Sequence, residues 1–243
     1  LKEIETLQEY RKSVITEALT KSVSLDASNQ VDSISLNTDR KQEITKLKYC
    51  LSKPMKYGAT ESGVEFDENL PRYIRITDIS ADGKLKEEGK LSLTANQAYG
   101  FLLKGKSLLF ARSGATVGKT FLYKPEYGNA AFAGYLIEAK TDEQKMLIEW
   151  LMYYTQSSAY DKWTSMIFNQ ATIQNIGADK YSNMPIPMTT IENQKNVIAY
   201  LDSKCTEINS IIESKQKQLD TLAEYRKSLI YEYVTGKKEV PAV

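Results

Sequence analysis

The sequence predicts an α+β protein, a mixed α/β domain attached to long antiparallel coiled-coil helices. Three observations predict it. Apolar residues recur at steps of three and four from Ile191 to Tyr233, with no proline or glycine before Gly236, the signature of one face of a long helix. Residues 4–20, IETLQEYRKSVITEALT, reappear without gaps at 219–235, LDTLAEYRKSLIYEYVT, with ten identities in seventeen. Between the copies lie short runs of β-branched and aromatic residues punctuated by glycine, as in sheets of short strands.

The long helix has readable ends. Pro185 and Pro187 close the preceding structure, because proline lacks an N–H donor and fixes φ. Thr189 stands three residues before Glu192, the spacing of a capping box, and Gly236 suits the C-terminal cap. The stripe comprises Ile191, Ile198, Leu201, Cys205, Ile208, Ile212, Leu219, Leu222, Leu229 and Tyr233, interrupted by Gln194, Lys215 and Arg226. A helix of about 45 residues spans roughly 65 Å and cannot bury such a stripe against itself. It needs a partner helix.

The repeat supplies one. Ile4, Leu7, Arg11, Val14 and Ala18 occupy the register of Leu219, Leu222, Arg226, Leu229 and Tyr233. The expected helix-partner interface is therefore Ile4, Leu7 and Val14 with Ile198, Leu201, Ile208, Ile212, Leu219, Leu222 and Leu229. Two equivalent helix ends imply a duplicated unit, so the chain is expected to be half of a pseudo-symmetric molecule or one protomer of a symmetric one. Five stretches follow. Residues 1–21 end one helix, 22–42 form a polar linker, 43–188 a globular domain, 189–236 the long helix and 237–243 a tail.

Within the domain, ITKLKYCL (44–51), RYIRITDI (72–79), KSLLFAR (106–112), KTFLYK (119–124) and AFAGYLIEA (131–139) read as strands. Residues 142–160 instead show helical spacing, opened by Asp142 as a cap.

Composition narrows the function. The chain has 42% hydrophobic and 26% charged residues, ordinary for a globular protein. No apolar run reaches membrane-span length and no signal peptide opens the sequence. The two cysteines, Cys50 and Cys205, read as reduced core residues of a cytoplasmic protein. There is no histidine, which removes Ser–His and Cys–His catalysis and histidine metal sites. GATVGKT at 114–120 resembles a phosphate-binding loop but leaves three residues between Gly114 and Gly118 where four are required. The net charge is +1, low for a free-standing DNA-binding domain. Its distribution is uneven, however. No acidic residue lies between Glu88 and Glu126, a span that holds Lys90, Lys104, Lys106, Arg112, Lys119 and Lys124. A second basic run holds Arg40, Lys41, Lys46, Lys48, Lys53 and Lys56.

MPIPMTTIENQKNVIAYLDSK, the long helix with LAEYRKSLIYEYVTGKKEV, and the N-terminal echo of that tail together resemble the specificity (S) subunit of type I restriction–modification enzymes. PRYIRITDI (71–79), LLFARSGATVGKT (108–120) and FNQATIQNIG (168–177) resemble elements of that family's target-recognition domains. The resemblance covers nearly the whole chain, with one recognition domain where the usual subunit has two. It implies double-stranded DNA, modification (methyltransferase) subunits and a restriction subunit as partners. It also implies no catalysis and no cofactor bound by this chain, S-adenosylmethionine, ATP and magnesium belonging to the partner subunits. With one domain, the chain is expected to complete a longer subunit or to homodimerise through its helices.

Base edges are read by arginine at guanine and by asparagine or glutamine at adenine. Two turn-like segments concentrate such residues, Arg112, Ser113 and Thr116 with Lys119, and Asn169, Gln170, Thr172, Gln174 and Asn175. Lys56 and Tyr57, and Arg72, Arg75 and Thr77 alternating on a strand, complete the candidate DNA-binding set. Each has a plainer reading as a capped loop, a packed aromatic or a solvated strand face. A rival function also stands, a coiled-coil interaction protein without DNA specificity.

Overall fold

Helix α6 (Ile191–Val234) runs for 44 residues in the computed structural model, which describes residues 2–20, 43–80, 83–114, 116–169 and 175–238. Thr190 caps it by accepting the amide of Asn193 at 3.3 Å. Gly236 adopts φ of +70° just past its end, the left-handed turn that terminates helices at low cost for glycine. The cap thus sits one residue after the expected Thr189, whose hydroxyl instead accepts the side-chain amide of Asn193.

Helix α1 (Lys2–Thr20) packs antiparallel on the first half of α6. Glu3, at the start of α1, pairs with Lys215 at 2.6 Å, whereas Arg11 lies by Cys205 and Glu17 by Tyr200. Ile4, Ile15, Ala18 and Leu19 are buried on α1, and Val197, Ile198, Leu201, Cys205 and Ile208 on α6. Leu7, Val14 and Ile212 are half-buried. Among the described residues, α1 reaches along α6 as far as the Glu3–Lys215 pair. Leu219 and Leu229 are half-buried and Leu222 is 62% exposed.

The domain between the helices is held at its base by a ribbon. Strand β1 (Glu43–Lys46) pairs antiparallel with β10 (Pro185–Met188), Ile44 opposite Pro187. The prolines tolerate this because a two-stranded ribbon leaves an outer edge where an N–H is not needed. Two four-stranded sheets make up the rest. One has the order β2-β9-β6-β7, with β2 (Lys56–Tyr57), β6 (Ser107–Ala111), β7 (Thr120–Tyr123) and β9 (Leu136–Ala139). The other has the order β3-β5-β4-β8, with β3 (Val64–Glu65), β4 (Arg72–Ile74), β5 (Leu91–Ser92) and β8 (Ala130–Phe132). All pairings within the sheets are antiparallel except β4 with β8. Helix α2 (Ala95–Ala98) follows β5, while α3 (Ile148–Tyr154), α4 (Ser158–Asn169) and α5 (Ala178–Ser182) follow the strands.

Strand β6 explains how these layers cohere. All five of its residues are buried, and successive side chains of a strand point to opposite faces. Leu108 and Phe110 join the core formed with α1, α3, α4, α5 and α6. Leu109 and Ala111 join a second core with Ile74, Phe121 and Phe132, between the sheets. A strand buried on both faces reads as a continuous apolar run, as KSLLFAR does.

Several elements depart from the sequence expectation. Residues 44–51 begin as β1 but turn into a 3-10 helix at Leu47–Cys50, which puts Leu47 and Cys50, three apart, into the core together. The strand expected over 72–79 ends at Ile74. Arg75 then folds back on Asp78 around a 3-10 turn, so Arg72, Arg75 and Thr77 do not share a strand face. AFAGYLIEA divides at Gly134-Tyr135 into β8 and β9, which lie in different sheets. The single helix expected over 142–160 is two, α3 and α4. Asp142 makes a local turn with Gln144 and Lys145, and Ser157 breaks the helix by donating to the Tyr154 carbonyl while receiving the Tyr160 amide.

Candidate nucleic-acid interface

The turn joining β6 to β7 is held by backbone bonds within it and by side chains beneath it. The Gly118 amide donates to Ala111 and the Val117 amide to Gly114. Gly114 and Gly118 take φ of +77° and +85°, conformations that a side chain disfavours. Two buried tyrosines clamp the turn from beneath. The Tyr160 hydroxyl donates to the Gly118 carbonyl at 2.6 Å and the Tyr181 hydroxyl to the Ala111 carbonyl at 3.0 Å. Burial raises the pKa of both phenols, so they stay protonated donors near neutral pH. This turn is the GATVGKT segment, and it leads into strand β7 rather than a helix.

Four predicted residues converge beside it. The Arg112 guanidinium lies over the Tyr57 ring, 4.9 Å from its centroid, within cation–π range. Tyr57 is held in turn by the Ala178 amide, which donates to its hydroxyl at 2.9 Å. Ser113 forms a β-bridge with Asn175, and the Ile176 amide donates to the Arg112 carbonyl at 2.9 Å. Thr116 and exposed Lys119 complete the same turn. Two buried polar atoms in this cluster, Arg112 Nε and Asn175 Oδ1, have no hydrogen-bond partner among the described residues. Asn169 is the last residue of α4, and Gln170, Thr172 and Gln174 lie outside the described residues.

The other candidates are engaged elsewhere. The Lys56 ammonium sits over Phe101 and donates to the Gly100 carbonyl, on the face of β2 opposite Tyr57. Arg75 makes a bidentate pair with buried Asp78 and a further bond to the Gly89 carbonyl. Arg72, largely buried, bonds Glu87 and the Lys86 carbonyl. The Thr77 carbonyl accepts Lys86. These arginines stitch β4 to the segment before β5. Half of the basic run between Glu88 and Glu126 is also neutralised, Lys90 by Glu87, Lys106 by Glu149 and Lys124 by Glu126. Arg112 and Lys119 have no carboxylate partner among the described residues.

The structure adds Tyr135 to this surface. It is 67% exposed, and its carbonyl accepts the Arg112 amide at 3.0 Å. The Gly134-Tyr135 pair inside an apolar run was the available signal, since an isolated glycine there marks a break. Tyr99, 84% exposed beside Gly100, gave no comparable signal. Among the described residues there is no cluster of three or more metal-binding side chains, and no helix is long and apolar enough to cross a membrane.

No family model matches the sequence, and no curated protein matches it significantly. Solved structures do. A chain of a type I restriction–modification system, described for its complex assembly and conformational transition, superposes with a TM-score of 0.66 at 14% identity, covering 95% of this chain and 53% of that one. The HsdS subunit from Thermoanaerobacter tengcongensis gives 0.59 at 14% identity, covering 95% and 52%. The type I restriction–modification S subunit from M. genitalium gives 0.52 at 10% identity, covering 94% and 55%. The domain seated between α1 and α6, and the pair of helices itself, therefore constitute the fold of a type I restriction–modification specificity subunit, over about half that subunit's length.

Proposed function

We propose that this chain is a DNA-recognition subunit of a type I restriction–modification complex, reading one half of a bipartite target. The observation that carries the reading is the turn bearing Arg112, Ser113, Thr116 and Lys119. It is rigidly supported from within, while Arg112 and Lys119 have no carboxylate partner among the described residues. A surface whose cations are held in place but left unneutralised suits a polyanion. The specificity-subunit fold supports duplex DNA as that polyanion. In this reading the chain is not itself an enzyme. Modification and restriction subunits dock on its helices in the cytoplasm and bring adenine methylation, ATP-driven cleavage and their cofactors.

The helices support a second recognition unit, which a second copy of this chain supplies. Ile15 and Leu19 of α1 are fully buried in their own domain. Their repeat equivalents, Ile230 and Val234, are 53% and 80% exposed. Arg11 donates to Gln156 at 2.6 Å and Lys12 to Asp161 at 2.6 Å, and the repeat provides Arg226 and Lys227 at the same positions. Among the described residues the distal half of α6 thus repeats the docking face of α1 in exposed positions, the form suited to an equivalent seat on a second recognition unit.

The test is a single-base adenine-methylation map of the host genome with and without the gene. Loss of a bipartite motif is the expected result, and inverted-repeat halves are expected from a homodimer. With an active modification subunit present, an unchanged map overturns the reading and leaves a coiled-coil interaction protein as the explanation.

A further inference from the structure

We propose that Arg112 reads a guanine directly in the major groove of the target, while Lys119 on the same turn contacts phosphate. This rests on the DNA-recognition reading. Three arginines of the domain are described, and two are consumed internally, Arg72 by Glu87 and the Lys86 carbonyl, Arg75 by Asp78 and the Gly89 carbonyl. Arg112 alone of the three makes no side-chain hydrogen bond or ion pair among the described residues.

What it has instead is orientation. The guanidinium carbon lies over the Tyr57 ring, 4.9 Å from its centroid, and Tyr57 is pinned by the Ala178 amide. The backbone on either side of the guanidinium stem is fixed as well, the Arg112 amide to the Tyr135 carbonyl and its carbonyl to the Ile176 amide. A phosphate needs only a nearby cation. Bidentate recognition of guanine O6 and N7 needs a planar fork held in place, and the aromatic ring beside the guanidinium restricts where that fork can lie.

The buried orphans agree. Arg112 Nε is a donor and Asn175 Oδ1 an acceptor, on segments joined by the Ser113–Asn175 bridge. The Nε atoms of Arg11 and Arg72 are unpartnered as well, but among the described residues only this bridge also carries an unpartnered acceptor, so Asn175 is the positioning residue that meets Nε when DNA seats the side chain. Lys119 is exposed and has no ring contact or carboxylate partner among the described residues, the form suited to a point charge against phosphate.

The experiment selects binders from randomised duplex DNA using the full chain, alone and with the host modification subunit, and compares wild type with Arg112→Lys, Arg112→Gln and Lys119→Ala. Melting temperatures confirm that each variant is folded. The wild type is expected to enrich a motif containing a G·C pair that Arg112→Lys no longer selects, with discrimination there reduced roughly tenfold to a hundredfold and every other position kept. Arg112→Gln is expected to shift that position toward adenine. Lys119→Ala is expected to keep the motif, weaken binding to all sequences alike and flatten the salt dependence. If both Arg112 variants enrich the wild-type motif, with or without uniform weakening, the guanine assignment is wrong while DNA recognition stands. If the wild type enriches no motif under either condition, both fall.

Discussion

Gln194, in the first turns of α6, accepts the backbone amide of Leu147 at 2.9 Å while its own amide donates to the carbonyls of Lys145 and Thr189 at 3.0 Å each. Its side chain is fully buried. A polar residue that interrupts the apolar stripe is thus the peg that fixes the domain to the long helix.

Replacing Gln194 with leucine keeps the volume and strands three backbone groups. Each unsatisfied buried group costs about 1–3 kcal/mol, and partial access to water lowers the sum, so a loss of about 2–4 kcal/mol is expected. For a chain of this size that is a fall of roughly 5–15 °C in melting temperature. A leucine variant as stable as the wild type would show that the bonds add nothing.

Gly58 tests the closeness of the two sheets. A Cβ there would stand 2.3 Å from the Phe132 carbonyl oxygen and 2.4 Å from that of Ala133, both backbone atoms that cannot swing aside. Gly58→Ala is expected to cost about 2 kcal/mol or more. Gly114→Ala meets nothing within 4 Å, and only its φ of +77° opposes it, at about 1 kcal/mol. Chemical denaturation of both variants measures the order, and equal losses would contradict the close approach at Gly58.

Tyrosine ionisation should divide the sixteen phenols into two populations. Burial raises Tyr153, Tyr160 and Tyr181 above their ordinary value and Tyr154 to about 12, with the Asp202 carboxylate adding to the effect at Tyr153. A phenol whose folded pKa exceeds its unfolded value near 10 favours folding fully below pH 10. That contribution is lost as pH climbs through the folded values. Absorbance titration is expected to show the buried set ionising only with alkaline unfolding. A single transition near pH 10 without loss of structure would refute this.

The two copies of the helical repeat should respond differently to substitution. Ile15→Ala opens a cavity in a filled core and is expected to cost about 2–5 kcal/mol. Ile230→Asp touches a residue with half its surface in water, so the folded monomer should melt as the wild type does. What Ile230→Asp should abolish is association, read by sedimentation velocity. Unchanged association would place the contact elsewhere.

Much of this was legible because helices declare themselves locally. Ile191 to Gly236 carries its period, its breaks and its stop signal in contiguous residues, and the TLxEYRKS repeat ties α1 to the same register. The error at the cap was a single residue, between adjacent threonines. The β-rich domain was less legible. RYIRITDI looked like one strand because Arg75 and Thr77 alternate correctly, yet the Arg75–Asp78 pair closes a turn that alternation cannot reveal. AFAGYLIEA looked continuous because both of its halves are apolar, although they belong to different sheets.

The candidate site divides the same way. The residue types able to contact DNA, and the composition that argues against histidine-based catalysis, are properties of the chain and could be read from it. Which cations remain free is a property of the tertiary structure. Arg72, Arg75 and Arg112 are equivalent as letters. Their fates depend on whether Glu87, Asp78 or Tyr57 arrives beside them, from 15, 3 and 55 residues away. Helical periodicity is enforced by hydrogen bonds four residues apart, so it survives in the sequence. The pairing of charges across strands is decided only when distant segments meet, and there the fold alone chooses.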